Sequence, residues 1–249
     1  MISLKTAHEL ERMQKACRIS AQALKVAEEH IKAGMSTYEL DMILREFYRS
    51  QGAKPSFLGY GGFTGSACIS INDEVIHGIP SKTKIIRDGD IVKVDTGAYI
   101  DGFHGDNAAT FAVGEVSDEA KKLMDVTEQS LYEGIRMAKV GNRIGDISHA
   151  IEEYVTSRGY AVVKKFVGHG VGHELQDSPE VPNYGHAGKG VRLAAGMTLA
   201  IEPMINIKGE GVNVLADGWT VKTASGSLSA HFEHTIAITN NGPVILTRA

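Results

Sequence analysis

Residues 91–113 read IVKVDTGAYIDGFHGDNAATFAV, a segment that predicts two β-strands joined as a hairpin. The first apolar run ends on Asp95, a glycine-rich turn follows at 96–105, and the second strand has Asp106 near its start. The two carboxylates are therefore expected to face each other across the hairpin. Because burial of Asp in a strand is costly unless a partner neutralises its charge, the pair predicts a bound cation. Asp-Gly and Gly-Asp pairs are also common in hairpin loops, so plain turn residues are the alternative.

Three further segments place a carboxylate or an imidazole on apolar strands downstream. His169 lies between glycines that let the backbone pass close to a ligand, Glu202 follows the apolar run 197–201, and Glu233 lies in a strand of period-two alternation. For each residue alone, an ordinary loop or strand position is the alternative. Because unpaired Asp and Glu are almost never fully buried, four carboxylates and one imidazole on such strands favour a common metal site.

This set of side chains indicates the kind of metal and the kind of chemistry. Four carboxylates and one imidazole form a hard, oxygen-rich set with four negative charges, which suits two divalent ions better than one. Structural zinc is disfavoured because such sites are normally rich in thiolate. Two ions about 3.5 to 4 Å apart can share a water, lower its pKa and stabilise the oxyanion formed by its attack. The sequence therefore predicts metal-assisted hydrolysis.

Together with HGIP at 77–80, these five residues resemble the methionine aminopeptidases of the short bacterial type, and the resemblance covers essentially the whole chain. It implies an α+β pita-bread fold, with two pseudo-symmetric helix-helix-strand halves around a curved, mostly antiparallel sheet. It also implies removal of the initiator methionine from nascent proteins when the second residue is small. The alternative is a proline-specific aminopeptidase or dipeptidase of the same fold, although those relatives usually carry an additional N-terminal domain for which this chain has no room.

The resemblance divides the ligands between two divalent ions. Asp106 and Glu233 would bridge both ions. Asp95 would chelate the first ion, and His169 and Glu202 would hold the second. Glu202 is also expected to take a proton from the bridging water and deliver it to the leaving amine. Cobalt, manganese, iron and zinc would all accept this ligand set.

Two side chains are expected to contact the peptide bond that is cut. The family's histidine at the position of His77 does so, although a turn histidine is the alternative. Gln176 stands where the family has a second histidine, which would donate a hydrogen bond to the scissile carbonyl. An amide can still donate, but it cannot be cationic or relay a proton. Altered turnover, substrate preference or pH range is therefore expected, and a catalytically blunted peptide-binding module is a further alternative. His173 is a conceivable substitute for the missing histidine. Its position after Gly172 argues against a side chain that points the same way as residue 176.

The resemblance also implies a pocket for the methionine side chain. A polarizable thioether suits an apolar, aromatic lining. Glycines alternate with aromatic residues over 56–70, which favours a surface loop over plain core. The expected lining residues, for several of which an ordinary core position is the alternative, are Phe57, Tyr60, Phe63, Cys68, Leu175 and Trp219.

A duplicated helical pattern divides the chain into halves of one domain, about 1–115 and 116–249. The 22 residues that begin at Lys32 align without gaps on those that begin at Lys139, 107 positions further on. A repeat that occurs twice favours two similar halves over a solenoid. The predicted ligands come from both halves, which predicts a site between them.

Two capping boxes predict the helices of the first half. Thr6 and Ser36 are each followed three positions later by a glutamate, which is typical of a helix start. Gly34 and Gly52 are predicted to end these helices.

Composition narrows the class of protein further. The chain has 249 residues, 43% of them hydrophobic, and a net charge of -4 without a basic block. The sequence therefore lacks a run of basic residues that would bind nucleic acid or an anionic membrane, although a transient ribosome contact is left open. Cys17 and Cys68 lie outside any CxxC motif and are predicted to be free thiols. A charged N-terminus without a long apolar run predicts a cytoplasmic protein, expected to be a monomer whose partner is the N-terminal peptide of nascent proteins.

Overall fold

The computed structural model describes residues 2–248, which form four α-helices and fifteen β-strands. The helices are α1 (Ala7–His30), α2 (Thr37–Ser50), α3 (Asp118–Met137) and α4 (Ile144–Thr156), and Tyr60–Gly62 form one 3₁₀ turn. The strands are β1 (Lys54–Pro55), β2 (Ala67–Ile71), β3 (Glu74–Ile76), β4 (Ile91–Ile100), β5 (Phe103–Ala112), β6 (Ala161–Val162), β7 (Gly168–Gly170), β8 (Asp177–Val181), β9 (Thr198–Ile201), β10 (Met204–Asn206), β11 (Val212–Val214), β12 (Val221–Thr223), β13 (Ser229–His231), β14 (Glu233–Thr239) and β15 (Gly242–Ile245).

Nine of these strands form one antiparallel sheet that takes strands from both halves of the chain. Its order is β1-β4-β5-β14-β9-β7-β8, with β2 also paired to β4 and β15 to β14. The halves meet where β5 pairs with β14, with Glu233 opposite Ala108, and we call this boundary the seam. Two three-stranded sheets, β13-β10-β6 and β11-β12-β3, complete the strands. The antiparallel pairing predicted from the hairpin signals is confirmed.

The repeat is visible in where the elements begin. Helices α2 and α4 start at Thr37 and Ile144, and strands β4 and β9 start at Ile91 and Thr198, so each pair is 107 residues apart, as in the sequence repeat. On either side of the seam the strand order is therefore related by approximate two-fold symmetry, β4-β5 against β9-β14.

The central hairpin is longer than the sequence predicts. Strand β4 does not end at Asp95 but runs to Ile100, and the turn is only Asp101-Gly102, where φ is +54° and +82°. Two successive residues with positive φ are what a two-residue hairpin turn of type I′ requires, and Asp-Gly supplies them. The stretch assigned to a loop stays extended because β1 pairs with it on the other side. Asp95 consequently lies opposite Ala108 and not opposite Asp106, so the two carboxylates are diagonal neighbours on one face.

Helix starts follow the sequence more closely than helix ends. Thr6 and Ser36 both form the predicted capping boxes, with the glutamate side chains reaching back to the cap backbone. Helix α1 ends at His30, four residues before Gly34, because Ile31 is already extended. Gly34 instead serves the following turn, where its φ is +88° and its N–H donates to the carbonyl of Ile86.

Two apolar cores pack the helix pairs against the sheet. One joins α1 and α2 to β2 and β4 through residues such as Leu44 and Val92, and the other joins α3 and α4 to β9 and β14 through residues such as Ile147 and Ile236. Cys17 and Cys68 are both buried and unpaired. No helix within residues 2–248 combines the length and the apolar character needed to cross a membrane.

Replacement of Gly105 by Ala is expected to destabilise this packing. A Cβ at Gly105 would lie 2.4 Å from the backbone nitrogen of Cys17 in α1, and backbone cannot move aside as a flexible side chain can. We expect the free energy of unfolding in guanidinium chloride to fall by about 3 kcal/mol. The matched control is Gly211→Ala, whose Cβ would make an ordinary 3.4 Å contact with Ala224 and is expected to change little. Equal stability of the two variants would contradict the close approach of α1.

Candidate metal centre

The five predicted ligands stand on neighbouring strands of the large sheet. Each strand delivers one side chain to a common centre near the seam: Asp95 on β4, Asp106 on β5, Glu233 on β14, Glu202 directly after β9, and His169 on β7. Ligand atoms of Asp106, His169 and Glu233 all lie within 4.8 Å of one another. His169 Nε2 is 3.9 Å from Asp106 Oδ2 and 3.5 Å from Glu202 Oε1. The structure therefore brings the five side chains together.

The carboxylates carry charge that the protein itself does not neutralise. Among residues 2–248 no lysine or arginine forms an ion pair with them, and only imidazoles come near. Three of their buried oxygens, Asp95 Oδ1, Asp106 Oδ1 and Glu233 Oε1, have no hydrogen-bond partner. Burial raises the pKa of Asp95 to about 7, and burial followed by carboxylate repulsion raises the pKa of Asp106 and Glu233 well above the ordinary range. Converging, unpartnered carboxylate oxygens fit a divalent metal.

His169 is prepared as a ligand by its neighbours. Its Nδ1 lies 2.9 Å from the carbonyl oxygen of Gly170, so Nδ1–H donates and Nε2 turns its lone pair to the carboxylates. Burial lowers the pKa of His169, which favours the neutral form that binds metal. The sequence interpretation gave the flanking glycines the role of letting the backbone pass close to a ligand, but the structure gives them another role. A Cβ at Gly168 would lie 2.4 Å from the carbonyl oxygen of Ala200, so glycine admits neighbouring strands and not a ligand.

One cavity of about 140 Å³ opens over the carboxylates. It is lined by every residue that the sequence singles out for metal, catalysis or substrate: Phe57, Tyr60, Phe63, Cys68, His77, Asp95, Asp106, His169, Leu175, Gln176, Glu202, Trp219 and Glu233. The aromatic wall is ordered by an edge-to-face contact of Phe63 with Trp219, whose ring centroids are 5.1 Å apart. Gly61 allows this wall to close, since a Cβ there would lie 3.2 Å from the Trp219 ring. An apolar pocket and a polar centre thus share one space.

His77 faces the cavity from the end of β3 with a left-handed backbone, φ +58°. Its ring lies edge-to-face against Phe166 and Trp219, with centroid distances of 5.7 Å and 6.3 Å. Burial lowers its pKa to about 4, so the imidazole is neutral at pH 7 and has one N–H to donate. Its predicted contact with the scissile peptide remains a prediction.

Gln176 and His173 lie on different sides of the loop that follows β7. Gln176 borders the mouth of the cavity, where its Oε1 is 3.5 Å from the hydroxyl of Tyr60. His173 points outward, with its ring 4.2 Å from that of Phe103 and its Nδ1 2.9 Å from the carbonyl oxygen of Gly102. His173 therefore does not replace the imidazole that Gln176 lacks, in agreement with the argument from its position after Gly172.

Three residues that the sequence interpretation missed lie next to the candidate ligands Asp106 and Glu202. Thr235 Oγ1 donates to the carbonyl of Asp106 at 2.7 Å, and Asn183 Nδ2 donates to the carbonyl of Glu202 at 3.0 Å. His231 Nε2 lies 3.7 Å from Glu202 Oε2. The period-two alternation that locates Glu233 also puts residue 231 on the same side, so this signal was present in the sequence.

Comparison with known proteins identifies the family. The model of metallopeptidase family M24 matches residues 11–240. Methionine aminopeptidase 1 from Bacillus subtilis is 52% identical over 248 residues, which is 100% of both chains. A crystal structure of methionine aminopeptidase from Thermotoga maritima has a TM-score of 0.98 at 47% identity and covers both chains fully. Prolidase from Pyrococcus furiosus has a TM-score of 0.81 at 25% identity, and the match covers 99% of this chain but 65% of that one.

These matches and the pita-bread arrangement of sheet and helix pairs define a metallopeptidase. The chain belongs to metallopeptidase family M24 and, within it, to the methionine aminopeptidases. The predicted fold class is confirmed, and the methionine-specific interpretation is favoured over the proline-specific one.

Proposed function

We propose that this protein removes the N-terminal methionine from nascent proteins whose second residue is small. The observation that carries the proposal is the cavity over the carboxylates, in which an apolar aromatic wall continues directly into the carboxylate-imidazole centre. A methionine side chain suits the wall, while the attached amine and peptide bond would reach the polar side. Relatives named methionine aminopeptidase, matched over the whole chain, support the same substrate class.

We propose that two divalent ions bind, because four carboxylates bring more negative charge than one ion balances. Asp95, Asp106, His169, Glu202 and Glu233 would hold them. When bound, the ions supply Lewis-acid activation of a water and of the scissile carbonyl. The unpartnered oxygens of the cluster and the fixed tautomer of His169 support this assignment.

The chain's own side chains move the proton and orient the peptide. Glu202 borders the cavity without a lysine or arginine partner in residues 2–248, so it can take a proton and deliver it to the leaving amine. Neutral His77 would donate its N–H to the substrate peptide. Gln176 would donate its amide N–H to the carbonyl oxygen as charge develops there. Phe63 and Trp219 keep water from the methionine pocket.

The test is release of free methionine from Met-Ala-Ser by protein loaded in turn with cobalt, manganese, iron and zinc. Ala-Pro serves as the second substrate. We expect cleavage of the first peptide and none of the second. Cleavage of Ala-Pro alone would favour the proline-specific alternative, and binding of Met-Ala-Ser without release would favour the peptide-binding module.

We further propose that residues 1–249 form one catalytic domain that acts as a monomer in the cytoplasm on the N-terminal peptide of nascent chains, with transient ribosome contact. The sheet that takes strands from both halves supports a single domain. A net charge of -4 without a basic block limits any ribosome contact to a weak one. Sedimentation velocity and co-sedimentation with ribosomes at low and high salt would test this.

Substitution at Gln176 is expected to change turnover with little effect on KM. Gln176→Ala removes one donor to the scissile carbonyl, and because the side chain is exposed we expect about a tenfold loss in kcat, below the loss for a buried donor. Gln176→His restores an imidazole and is expected to raise kcat above that of the native protein. His173→Ala, outside the cavity, is the control. Equal kcat in all three variants would remove Gln176 from the mechanism.

A further inference from the structure

His231 is a buried imidazole without a hydrogen-bond partner among the residues that the structure describes. It ends strand β13 with only 1% of its surface exposed, and neither ring nitrogen has a hydrogen-bond partner within residues 2–248. A buried polar group left without a partner costs about 1–3 kcal/mol, so native proteins seldom keep one without a use.

The backbone of His231 is held by contacts on both sides. Its N–H donates to Thr110 Oγ1 at 3.0 Å, and its carbonyl accepts from the same hydroxyl at 2.7 Å. Thr110 lies on β5, the strand that carries Asp106. On its other side β13 pairs with β10, where Met204 lies opposite His231. Both neighbouring strands therefore fix the backbone position of His231 beside the metal centre.

The carboxylate of Glu202 stands between two imidazoles. Its Oε1 lies 3.5 Å from His169 Nε2, and its Oε2 lies 3.7 Å from His231 Nε2. His169 cannot donate to it, because its proton is on Nδ1 and engaged with the carbonyl of Gly170. In residues 2–248 the side chain of Glu202 receives no hydrogen bond, and its second oxygen faces the ring of His231.

We propose that His231 is a positioning residue for Glu202, an inference that rests on the proposed function. Its Nε2 lies 3.7 Å from Oε2 of Glu202, and a small approach of the two groups would make Nε2–H a donor that holds Oε1 toward His169 and the metal. Hydrogen bonds to the outer oxygens of ligating carboxylates fix their orientation and raise metal affinity. His231 acts through Glu202 and does not line the cavity, so it does not touch substrate.

The test compares three variants by metal affinity and by the separate values of kcat and KM. His231→Leu removes the donor at similar size, His231→Gln keeps an amide near the position of Nε2, and His231→Asn keeps one near Nδ1, too short to reach Glu202. We expect metal affinity, measured by titration calorimetry, and kcat to fall about 10- to 100-fold in the Leu and Asn variants, with KM within about twofold, and to be largely restored in the Gln variant.

The matched control is His234→Leu. His234 is a second buried imidazole, but it bonds Thr247 Oγ1 at 2.9 Å and lies against Tyr132, away from the cavity. This variant is expected to lose thermal stability without loss of metal affinity. If His231→Leu does not fold, the comparison of Gln with Asn decides alone.

Wild-type affinity in the Leu or Asn variant, or an equal loss in the Gln and Asn variants, would overturn the role of His231. Failure of the wild-type protein to release methionine would instead overturn the proposed function, and the affinity comparison would still stand. The two failures are therefore distinguishable.

Discussion

Replacement of Asp106 by Asn is expected to lower kcat/KM for methionine release at least about a thousand-fold. Asp106 reaches the centre from the seam, and its Oδ1 is among the buried oxygens without a partner. A divalent metal held by these residues would contribute several kcal/mol to stabilisation of the transition state, and each tenfold in rate corresponds to about 1.36 kcal/mol. Steady-state assays with Met-Ala-Ser at saturating metal would measure the loss.

The same substitution is expected to stabilise the metal-free protein. Burial and the neighbouring Asp95 carboxylate raise the pKa of Asp106, which means that its charge opposes folding when no metal is present. A neutral amide removes that repulsion. Thermal melting in the presence of a chelator is therefore expected to occur at a higher temperature for the Asn variant than for the wild type.

Asp101→Asn is the matched control for both effects. It lies in the turn of the same hairpin, where Asn also tolerates positive φ, and its carboxylate faces Lys15 at 2.8 Å in solvent. We expect it to leave activity and metal-free stability nearly unchanged. A fully active Asp106→Asn variant, or one that is less stable without metal, would contradict the assignment of Asp106 as a ligand.

The metal-free protein is expected to lose stability as pH rises. Asp95 has a pKa of about 7 when folded and an ordinary carboxyl pKa of about 4 when unfolded, so the folded state binds more protons between these values. Stability from this group is complete below about pH 4 and is lost as pH rises through 7. Asp95 alone accounts for roughly 4 kcal/mol, and Asp106, Glu202 and Glu233 act in the same direction.

Metal is expected to offset part of this loss. Binding requires deprotonated carboxylates, so each binding event releases protons and grows stronger as pH rises. At a free metal concentration one hundred times Kd, the stabilisation is about 2.7 kcal/mol per site. Unfolding in guanidinium chloride between pH 5.5 and 8.5, with chelator and with metal, would show two curves that diverge with pH. Metal-free stability that increases over this range would refute the strained carboxylate cluster.

The sequence singles out the candidate ligands, which the structure brings together, because most of them are carboxylates on apolar strands. A charge at the end of an apolar strand, such as Glu202 after β9, is visible without any structure. Helix starts are equally local, because a capping box involves residues three positions apart. The duplicated halves can also be recognised from the sequence, because the helix starts Thr37 and Ile144 keep the spacing of the repeat.

Features that depend on contacts between distant segments could not be predicted from local sequence patterns. The extent of β4 beyond Asp95 follows from its pairing with β1, about forty residues away. The alternation places His231 on the side of Glu233, but its approach to Glu202 follows from the meeting of β13 with β5 and the end of β9, which no local pattern encodes. A buried imidazole in a strand is otherwise indistinguishable from a core residue.

The two-fold relation across the seam bears on the protein's ancestry. Asp95 and Glu202 are 107 residues apart, as are the starts of the strands that carry them, so they occupy equivalent places in the two halves. In a half-length precursor the seam would have been a contact between identical subunits, with its carboxylates facing each other across the dyad. Fusion of two such copies would keep that contact within one chain, which is the arrangement that the pairing of β5 with β14 shows.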